Sequence, residues 1–184
     1  MKKQIIYIFF LLFSLPLIGQ DEAPLDIGFE MQAYPTGLIP GVYIEKGWGN
    51  RNVAKLRIGY NWIRHRDLGV QEDERGDGFG FTLGYKRYFN EEFTGFFSSA
   101  KCDIWWNSLD WKDQIGMPNE ISGNTDIIVI QPTLEVGYLF LPFDNNIHIS
   151  PTVSFGYEVN VRTRGEPVGE GAILLLGFQI GKRF

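Results

Sequence analysis

The sequence is poor in the residues that hold metals and disulfides. It has one cysteine, Cys102, and only two histidines, His65 and His148. A single cysteine cannot close an internal disulfide, and two separated histidines offer no zinc-binding cluster. We therefore predict no metal site and no cofactor, and we interpret Cys102 as a small apolar residue on a strand.

Positive charge is also in short supply. The chain carries 17 lysines and arginines against 22 aspartates and glutamates, for a net charge of −5. Nucleic-acid binding depends on clustered positive charge. The composition therefore argues against a nucleic-acid partner.

Long apolar runs are missing beyond the N-terminal segment. No later stretch reaches the roughly 18 consecutive apolar residues of a membrane-spanning helix. At the N-terminus, however, two lysines precede an apolar run over 5–17, and Gly19 offers a small residue near a cleavage site, which is typical of a secretory signal peptide. We predict a signal peptide over 1–19 and a mature domain over 20–184, whose net charge becomes −7 once the two lysines are lost. A retained N-terminal anchor is the alternative.

Apolar and polar residues alternate over 147–162. One set of alternate positions is Ile147, Ile149, Pro151, Val153, Phe155, Tyr157, Val159 and Val161, and the other is His148, Ser150, Thr152, Ser154, Gly156, Glu158, Asn160 and Arg162. Because strand side chains point to opposite faces with period two, this pattern predicts a strand with one apolar and one polar face. It lasts for about fifteen residues, which at about 3.3 Å each and a tilt of about 45° is enough to cross a bilayer.

The same pattern gives eight candidate strands, at 25–34, 39–48, 52–65, 77–89, 93–110, 125–141, 146–162 and 170–184. The connections after the third, fifth and seventh strands are long and polar, at 66–76, 111–124 and 163–169. Bacterial membrane barrels have short periplasmic turns and longer external loops. We therefore predict an all-β protein, an eight-stranded antiparallel up-and-down transmembrane β-barrel with these three connections outside. Because proline cannot donate to a ladder, we expect bulges or broken pairing near Pro132 and Pro151.

Alternation alone also fits a soluble, lipocalin-like barrel around an apolar pocket. Glycine is frequent on the polar face, which suits the crowded interior of an eight-stranded barrel. Aromatic residues such as Trp48, Phe89, Trp106 and Phe140 lie near strand ends on the apolar face, where aromatic girdles lie in membrane barrels. These features favour the membrane barrel.

The last strand has an apolar face and closes on Phe184. It resembles the terminal strand of outer-membrane β-barrel proteins, and the mature chain resembles in architecture the small eight-stranded OmpA- and OmpX-like barrels. This resemblance implies a Gram-negative outer-membrane location after export, contact with outer-membrane lipid and lipopolysaccharide, and recognition of the last strand by the insertion machinery. We expect a monomer.

Strand parity directs a set of charged or titratable residues of both signs into the barrel. They are Glu30, Glu45, Lys55, Arg57, Lys86, Lys101, Asp103, Glu135, His148, Glu158, Arg162 and Arg183. Unpaired charge in a confined interior is unfavourable, so we expect ion pairs and networks. A filled interior suits a structural, adhesive or partner-binding protein that acts through its external loops, which is our main hypothesis. A narrow path for ions or small solutes is the alternative.

His148, Ser150 and Glu158 share one strand and one parity. They vaguely resemble the active strand of outer-membrane lipid A deacylases, which would imply a serine nucleophile, a histidine base and an orienting acid. However, their parity points inward, and His148 follows a periplasmic turn, far from external substrates. We predict no catalytic residue and keep a lipid hydrolase as a lesser alternative.

The glycine-rich segment 76–80 is not interpreted as a phosphate loop, because the alternation that follows predicts a strand and not a helix. Four acidic residues between 72 and 77 could in principle bind calcium. Arg75, however, stands where a calcium loop needs an oxygen ligand. We predict a solvated loop here.

Overall fold

The computed structural model describes residues 23–142 and 146–184, and within them the chain forms eight β-strands. They are β1 (Leu25–Tyr34), β2 (Gly37–Trp48), β3 (Asn52–Arg66), β4 (Asp73–Tyr88), β5 (Gly95–Asp113), β6 (Ile121–Leu139), β7 (Ile147–Arg164) and β8 (Gly171–Arg183). Each strand pairs antiparallel with the next, and β8 pairs with β1, so the sheet closes into a barrel. The predicted fold class is confirmed. The signal peptide predicted over 1–19 lies outside the described residues.

Both ends of the described chain lie at one end of the barrel, here called the terminal end. There, the backbones of Leu25 and Phe184 exchange two hydrogen bonds, of 3.2 and 2.9 Å. The opposite end, here called the loop end, carries the connections 35–36, 67–72, 114–120 and 165–170. The described part of the chain contains no helix long and apolar enough to span a membrane.

Several strands run further toward the loop end than the alternation predicts. β4 begins at Asp73 instead of residue 77, and β6 begins at Ile121 instead of residue 125. Most of the added residues are polar, yet they continue the ladder, as in the pairing of Arg75 with Asp110. The alternation of apolar and polar side chains therefore ends before the backbone pairing does. The connections at the loop end are correspondingly shorter than predicted.

The outward face of the barrel is apolar on every strand. Exposed side chains on this face include Phe29, Val42, Ile58, Leu83, Phe96, Leu134, Phe155 and Leu176, one from each strand in order. Charged side chains such as Glu30, Lys55 and Arg57 are almost completely buried inside. An apolar exterior around a charged interior is the arrangement of a transmembrane barrel and the reverse of a soluble lipocalin-like one.

The β6–β7 ladder contains an interruption and a bulge. It is interrupted at Pro132, between Ile130↔Val159 and Thr133↔Gly156, as expected for a residue without an N–H. A bulge lies elsewhere, at Val161, because Asn160 pairs with Val129 while Arg162 pairs with the adjacent Ile128. Residues after Val161 therefore lie on the opposite face of the sheet from the one that simple alternation predicts.

Two apolar clusters fill the barrel above and below its middle. The loop-end cluster comprises Tyr34, Ile39, Ile63, Trp105, Leu109, Trp111, Ile127, Val129, Val168, Ile173 and Leu175. The terminal-end cluster comprises Val53, Tyr88, Phe93, Phe97 and Leu139. Trp105 fits into the narrow lumen because Gly80 leaves room for it, since a Cβ at that position would lie 2.4 Å from the indole ring.

Candidate functional site

Eight charged side chains occupy the middle of the barrel and form what we call the charge layer. They are Glu30, Glu45, Lys55, Arg57, Lys86, Lys101, Asp103 and Glu135. The layer holds four cations and four anions, each with a side chain no more than 1% exposed. Their formal charges cancel.

One half of the charge layer is a chain of carboxylates and lysines. Lys55 Nζ lies 2.6 Å from Glu30 Oε2 and 3.4 Å from Glu45 Oε1. Glu45 Oε2 in turn lies 2.6 Å from Lys86 Nζ. Glu45 thus joins two lysines of neighbouring strands, β3 and β4.

The other half centres on Arg57. Its guanidinium lies 2.8 Å from Asp103 Oδ1 and donates to Gln32 Oε1 at 2.7 Å and to Thr82 Oγ1 at 2.9 Å. Lys101 lies 2.5 Å from Glu135 and 3.9 Å from Glu30. Because Glu30 also lies 3.7 Å from Arg57, it connects both halves into one network.

The two apolar clusters close the charge layer on both sides. The Arg57 guanidinium carbon lies 5.7 Å from the centre of the Trp105 ring, in the loop-end cluster. Lys86 Nζ lies 4.3 Å from the centre of the Phe97 ring, in the terminal-end cluster. Trp105 and Phe97 are fully buried. The charges are therefore enclosed between buried aromatic side chains and do not line an open channel.

His148 and Arg183 lie nearer the terminal end. His148 Nε2 is hydrogen-bonded to the Tyr43 hydroxyl at 2.7 Å, across the lumen. Arg183 binds both carboxylate oxygens of Asp26, at 2.9 and 2.8 Å, and donates to the Phe93 carbonyl at 3.0 Å. Since Asp26 and Arg183 are cross-strand neighbours, this pair links the β1–β8 seam to the 89–94 connection.

Arg162 lies outside the barrel and is exposed, so its predicted inward position is wrong. The cause is the bulge at Val161, which adds one residue and reverses the faces of the positions beyond it. Arg162 and Arg164 instead line an outer-wall hollow of about 500 Å³ together with Tyr60, Phe79 and Trp106. The rings of Phe79 and Trp106 are stacked there, with centroids 5.6 Å apart.

Glu158 is partly buried at the loop end, apart from the charge layer. It pairs across the ladder with Gly171 at the start of β8, whereas His148 pairs with Gly181 near the end of β8. Ser150 is fully buried, and its hydroxyl has no hydrogen-bond partner among the described residues. The structure therefore does not bring His148, Ser150 and Glu158 together as a catalytic triad.

The acidic residues of 72–77 are engaged by protein groups. The Glu74 carboxylate accepts hydrogen bonds from the backbone N–H groups of Val70, at 2.8 Å, and Gly169, at 3.1 Å, and contacts His65 Nδ1 at 2.9 Å. Asp73 pairs with Arg75 at 2.6 Å. Within 23–142 and 146–184, no group of three or more histidine, cysteine, aspartate or glutamate residues could hold a metal ion.

The predicted set of inward residues lacks several side chains that lie inside the barrel. Gln32 and Thr82 hold Arg57, and Ser154 donates to Glu135 at 3.0 Å. Asp26 was also missed. All of them lie at alternate positions that face the lumen. Applying the alternation to every polar residue, and not only to the charged ones, would have identified them.

No protein-family model and no curated protein matches the chain. Among solved structures, it is similar to a major outer membrane protein from Thermus thermophilus, with 12% identity, a TM-score of 0.53, and coverage of 89% of this chain and 100% of that one.

This likeness concerns the fold. The fold is that of a small outer-membrane β-barrel. The N-terminal barrel domain of Pseudomonas aeruginosa OprF is 11% identical, with a TM-score of 0.46 and coverage of 86% of this chain and 96% of that one. Ail of Yersinia pestis, the attachment invasion locus protein, is 13% identical, with a TM-score of 0.42 and coverage of 88% and 97%.

Proposed function

We propose that the protein is a sealed barrel of a Gram-negative outer membrane that serves a structural, adhesive or partner-binding role through its loop end. The observation that carries this proposal is the charge layer, neutral in sum and enclosed between two apolar clusters. An ion that crossed would have to separate buried pairs and pass Trp105 and Phe97. Both steps are unfavourable in a low-dielectric interior.

Conductance in planar bilayers tests the sealed state. The purified barrel should give no stable channel steps. The double variant Trp105→Ala and Phe97→Ala removes the two aromatic rings that flank the charge layer and should raise the conductance, because the charge pairs then meet less of the apolar barrier. The Phe155→Ala variant changes an outward-facing aromatic residue and should stay silent. Steady conductance by the unaltered protein would favour the pore alternative.

Exposed apolar side chains in the loop-end connections support the partner-binding role. Leu68, Val70, Ile115 and Met117 are 69%, 60%, 47% and 57% exposed, beyond the apolar band of the wall. Apolar patches on a rim commonly mark interaction sites, and the two connections meet where the Ile115 N–H donates to Glu72 Oε2 at 2.9 Å. A photo-crosslinking residue at position 117 should give a defined protein adduct in intact cells, and the same residue at 155, on the lipid-facing wall, should not.

The outward arginines support contact with phosphorylated outer-membrane lipid, such as lipopolysaccharide. Arg162 and Arg164 lie beside the aromatic residues of the outer-wall hollow. Arginine binds phosphate bidentately, and aromatic girdles lie at the headgroup level. Native mass spectrometry with added lipid A should show weaker binding for Arg162→Gln/Arg164→Gln than for Arg87→Gln, which alters an exposed arginine near the terminal end.

The outer face of the barrel also bears on its assembly. β8 presents an apolar outward face, with Leu174, Leu176 and Phe178 exposed, which is the surface that the insertion machinery would bind. The apolar exterior extends around all eight strands and suits contact with lipid on every side. We therefore propose a monomer.

A further inference from the structure

The wall of the barrel is notched at the loop end, above the turn between β1 and β2. The ladder between β1 and β8 reaches only Ala33↔Leu176, although β8 begins five residues earlier, at Gly171. On the other side, β3 continues to Arg66, beyond its pairing of Ile63 with Gly37. The short β1–β2 turn therefore leaves a lateral gap between the tops of β3 and β8.

A cavity of about 340 Å³ opens behind this notch. Its walls include Tyr34, His65, Leu68, Glu158 and the first residues of β8. A void of only about 10 Å³, no larger than a single water molecule, lies beyond it toward the lumen among Ile63, Leu109, Ile127 and Val129. The cavity itself combines the polar side chains of Glu158 and His65 with the apolar side chains of Leu68 and Ile173.

The polar groups of this cavity leave acceptors without donors. Tyr34 donates its hydroxyl proton to Asn61 Oδ1 at 2.7 Å, and Asn160 donates its amide protons to the carbonyls of Val168 and Gly169. No hydrogen bond or ion pair within the described residues holds the Glu158 carboxylate.

We propose that this cavity binds a primary ammonium group carried on a short apolar stem. An ammonium group supplies three donors, which match the two oxygens of the Glu158 carboxylate. A charge-assisted bond to Glu158 offsets the desolvation of the cation, and Leu68 and Ile173 provide apolar contact for the stem. The volume lies at the small end of ligand pockets.

The notch gives this site two approaches. Leu68 and Leu174 flank it and are 69% and 50% exposed, so its outer edge is apolar and faces the membrane surface. The ammonium group can therefore belong to a free amine that enters from solvent or to the headgroup of an aminophospholipid that enters sideways. Both sources present the same chemistry to Glu158.

The test uses 4-fluorobenzylammonium as the probe and the barrel reconstituted in phosphatidylcholine nanodiscs. Fluorine NMR line broadening measures its affinity, with neutral 4-fluorobenzyl alcohol as the comparison. The ammonium probe should bind about tenfold or more tightly than the alcohol, because only the cation pairs with a carboxylate. This comparison requires no variant, and equal affinities would overturn the proposal.

Two matched substitutions locate the site. Glu158→Gln should weaken the ammonium probe about tenfold or more, and it should leave the alcohol unchanged. Glu166→Gln removes the same charge from an exposed position in the neighbouring 165–170 connection and should change neither. Equal losses in both variants, or full affinity in Glu158→Gln, would place the probe elsewhere and contradict the proposal.

Replacing phosphatidylcholine by phosphatidylethanolamine distinguishes the two sources. If the lipid amine occupies the cavity, the probe must compete with it and its affinity should fall, but only in protein that retains Glu158. Unchanged affinity assigns the site to free amines. The conductance measurement is independent of this result, so a sealed barrel without amine binding and an amine-binding barrel that conducts remain separate outcomes.

Discussion

The Glu30 carboxylate faces three cations from two strands: Lys55 and Arg57 on β3 and Lys101 on β5. Its amide neighbour Gln32 donates to it at 2.9 Å and accepts from Arg57. Loss of this one negative charge would leave the charge layer with a net positive charge between the two apolar clusters. A buried pair that loses a partner is far more costly than one replaced as a unit.

Glu30→Gln should therefore lower the free energy of unfolding by about 3–5 kcal/mol. Urea unfolding in lipid bilayers measures it. The matched control is Glu91→Gln, because Glu91 pairs with Arg51 at 3.0 Å but is 61% exposed. Exposed pairs contribute at most about 1 kcal/mol. A similar small loss for both variants would show that the charge layer is not sealed from water.

Neighbouring residues of β7 provide a test of the two faces of the wall. Val153 points outward and is 45% exposed, whereas Ser154 is buried beside Glu135 and Lys101. Val153→Arg should destabilise the barrel by about 2–4 kcal/mol, the range for a basic residue near the bilayer midplane. This cost should vary with bilayer thickness.

Ser154→Arg should also destabilise the barrel, but for a different reason, because it adds a cation to a crowded interior whose charges already cancel. Its cost should depend little on bilayer thickness, and unfolding of both variants in bilayers of two thicknesses makes the comparison. If Ser154 instead faced water, its replacement would stay within about 0.5 kcal/mol. That outcome, in a protein that stays folded without detergent, would contradict the membrane barrel.

At the scale of the strand, the bulge in β7 makes an unusual prediction about deletions. Removal of Val161 lets Asn160 and Arg162 pair with Val129 and Ile128 as successive residues, so the inward and outward faces are preserved. Removal of Val153 from the regular part of the same strand shifts every later residue to the opposite face. The first deletion should leave the folded fraction in bilayers close to that of the unaltered protein, and the second should abolish folding. Equal tolerance of both deletions would argue against the bulge.

Period-two alternation predicted the strands well because each one separates lipid from a polar lumen along most of its length. It could not locate the bulge at Val161, since an inserted residue changes pairing without leaving a mark in composition. It also began β4 and β6 too late, because polar residues such as Asp73 occupy both faces where the wall leaves the apolar band.

The candidate sites were less predictable than the strands. Parity suggests that Glu30 and Arg57 share the lumen, but the pairing depends on the stagger between strands, which one sequence does not reveal. The cavity at Glu158 depends on the difference in length between β1 and its neighbours, and on the 165–170 connection folding over the mouth. Neither has a local signature in the sequence.

For the whole molecule, the remaining question is which end faces outward. The loop end should lie outside the cell, because its connections at 67–72, 114–120 and 165–170 extend beyond the apolar band. In a Cys102→Ser background, cysteines at positions 117 and 166 should react with a membrane-impermeant maleimide in intact cells. A cysteine at Asn50, near the terminal end, should react only after the membrane is broken. Labelling at position 50 alone would reverse the orientation.

The contacts of Glu30 also constrain the order in which the barrel can be built. Its three cations come from β3 and β5, so no single hairpin contains a complete set of partners. A hairpin that entered hydrocarbon alone would carry unpaired ions into a medium where each is severely penalised. We therefore expect the strands to gather while water still reaches the future lumen. Dehydration of the interior and closure of the seam between β1 and β8 would then coincide in one concerted event.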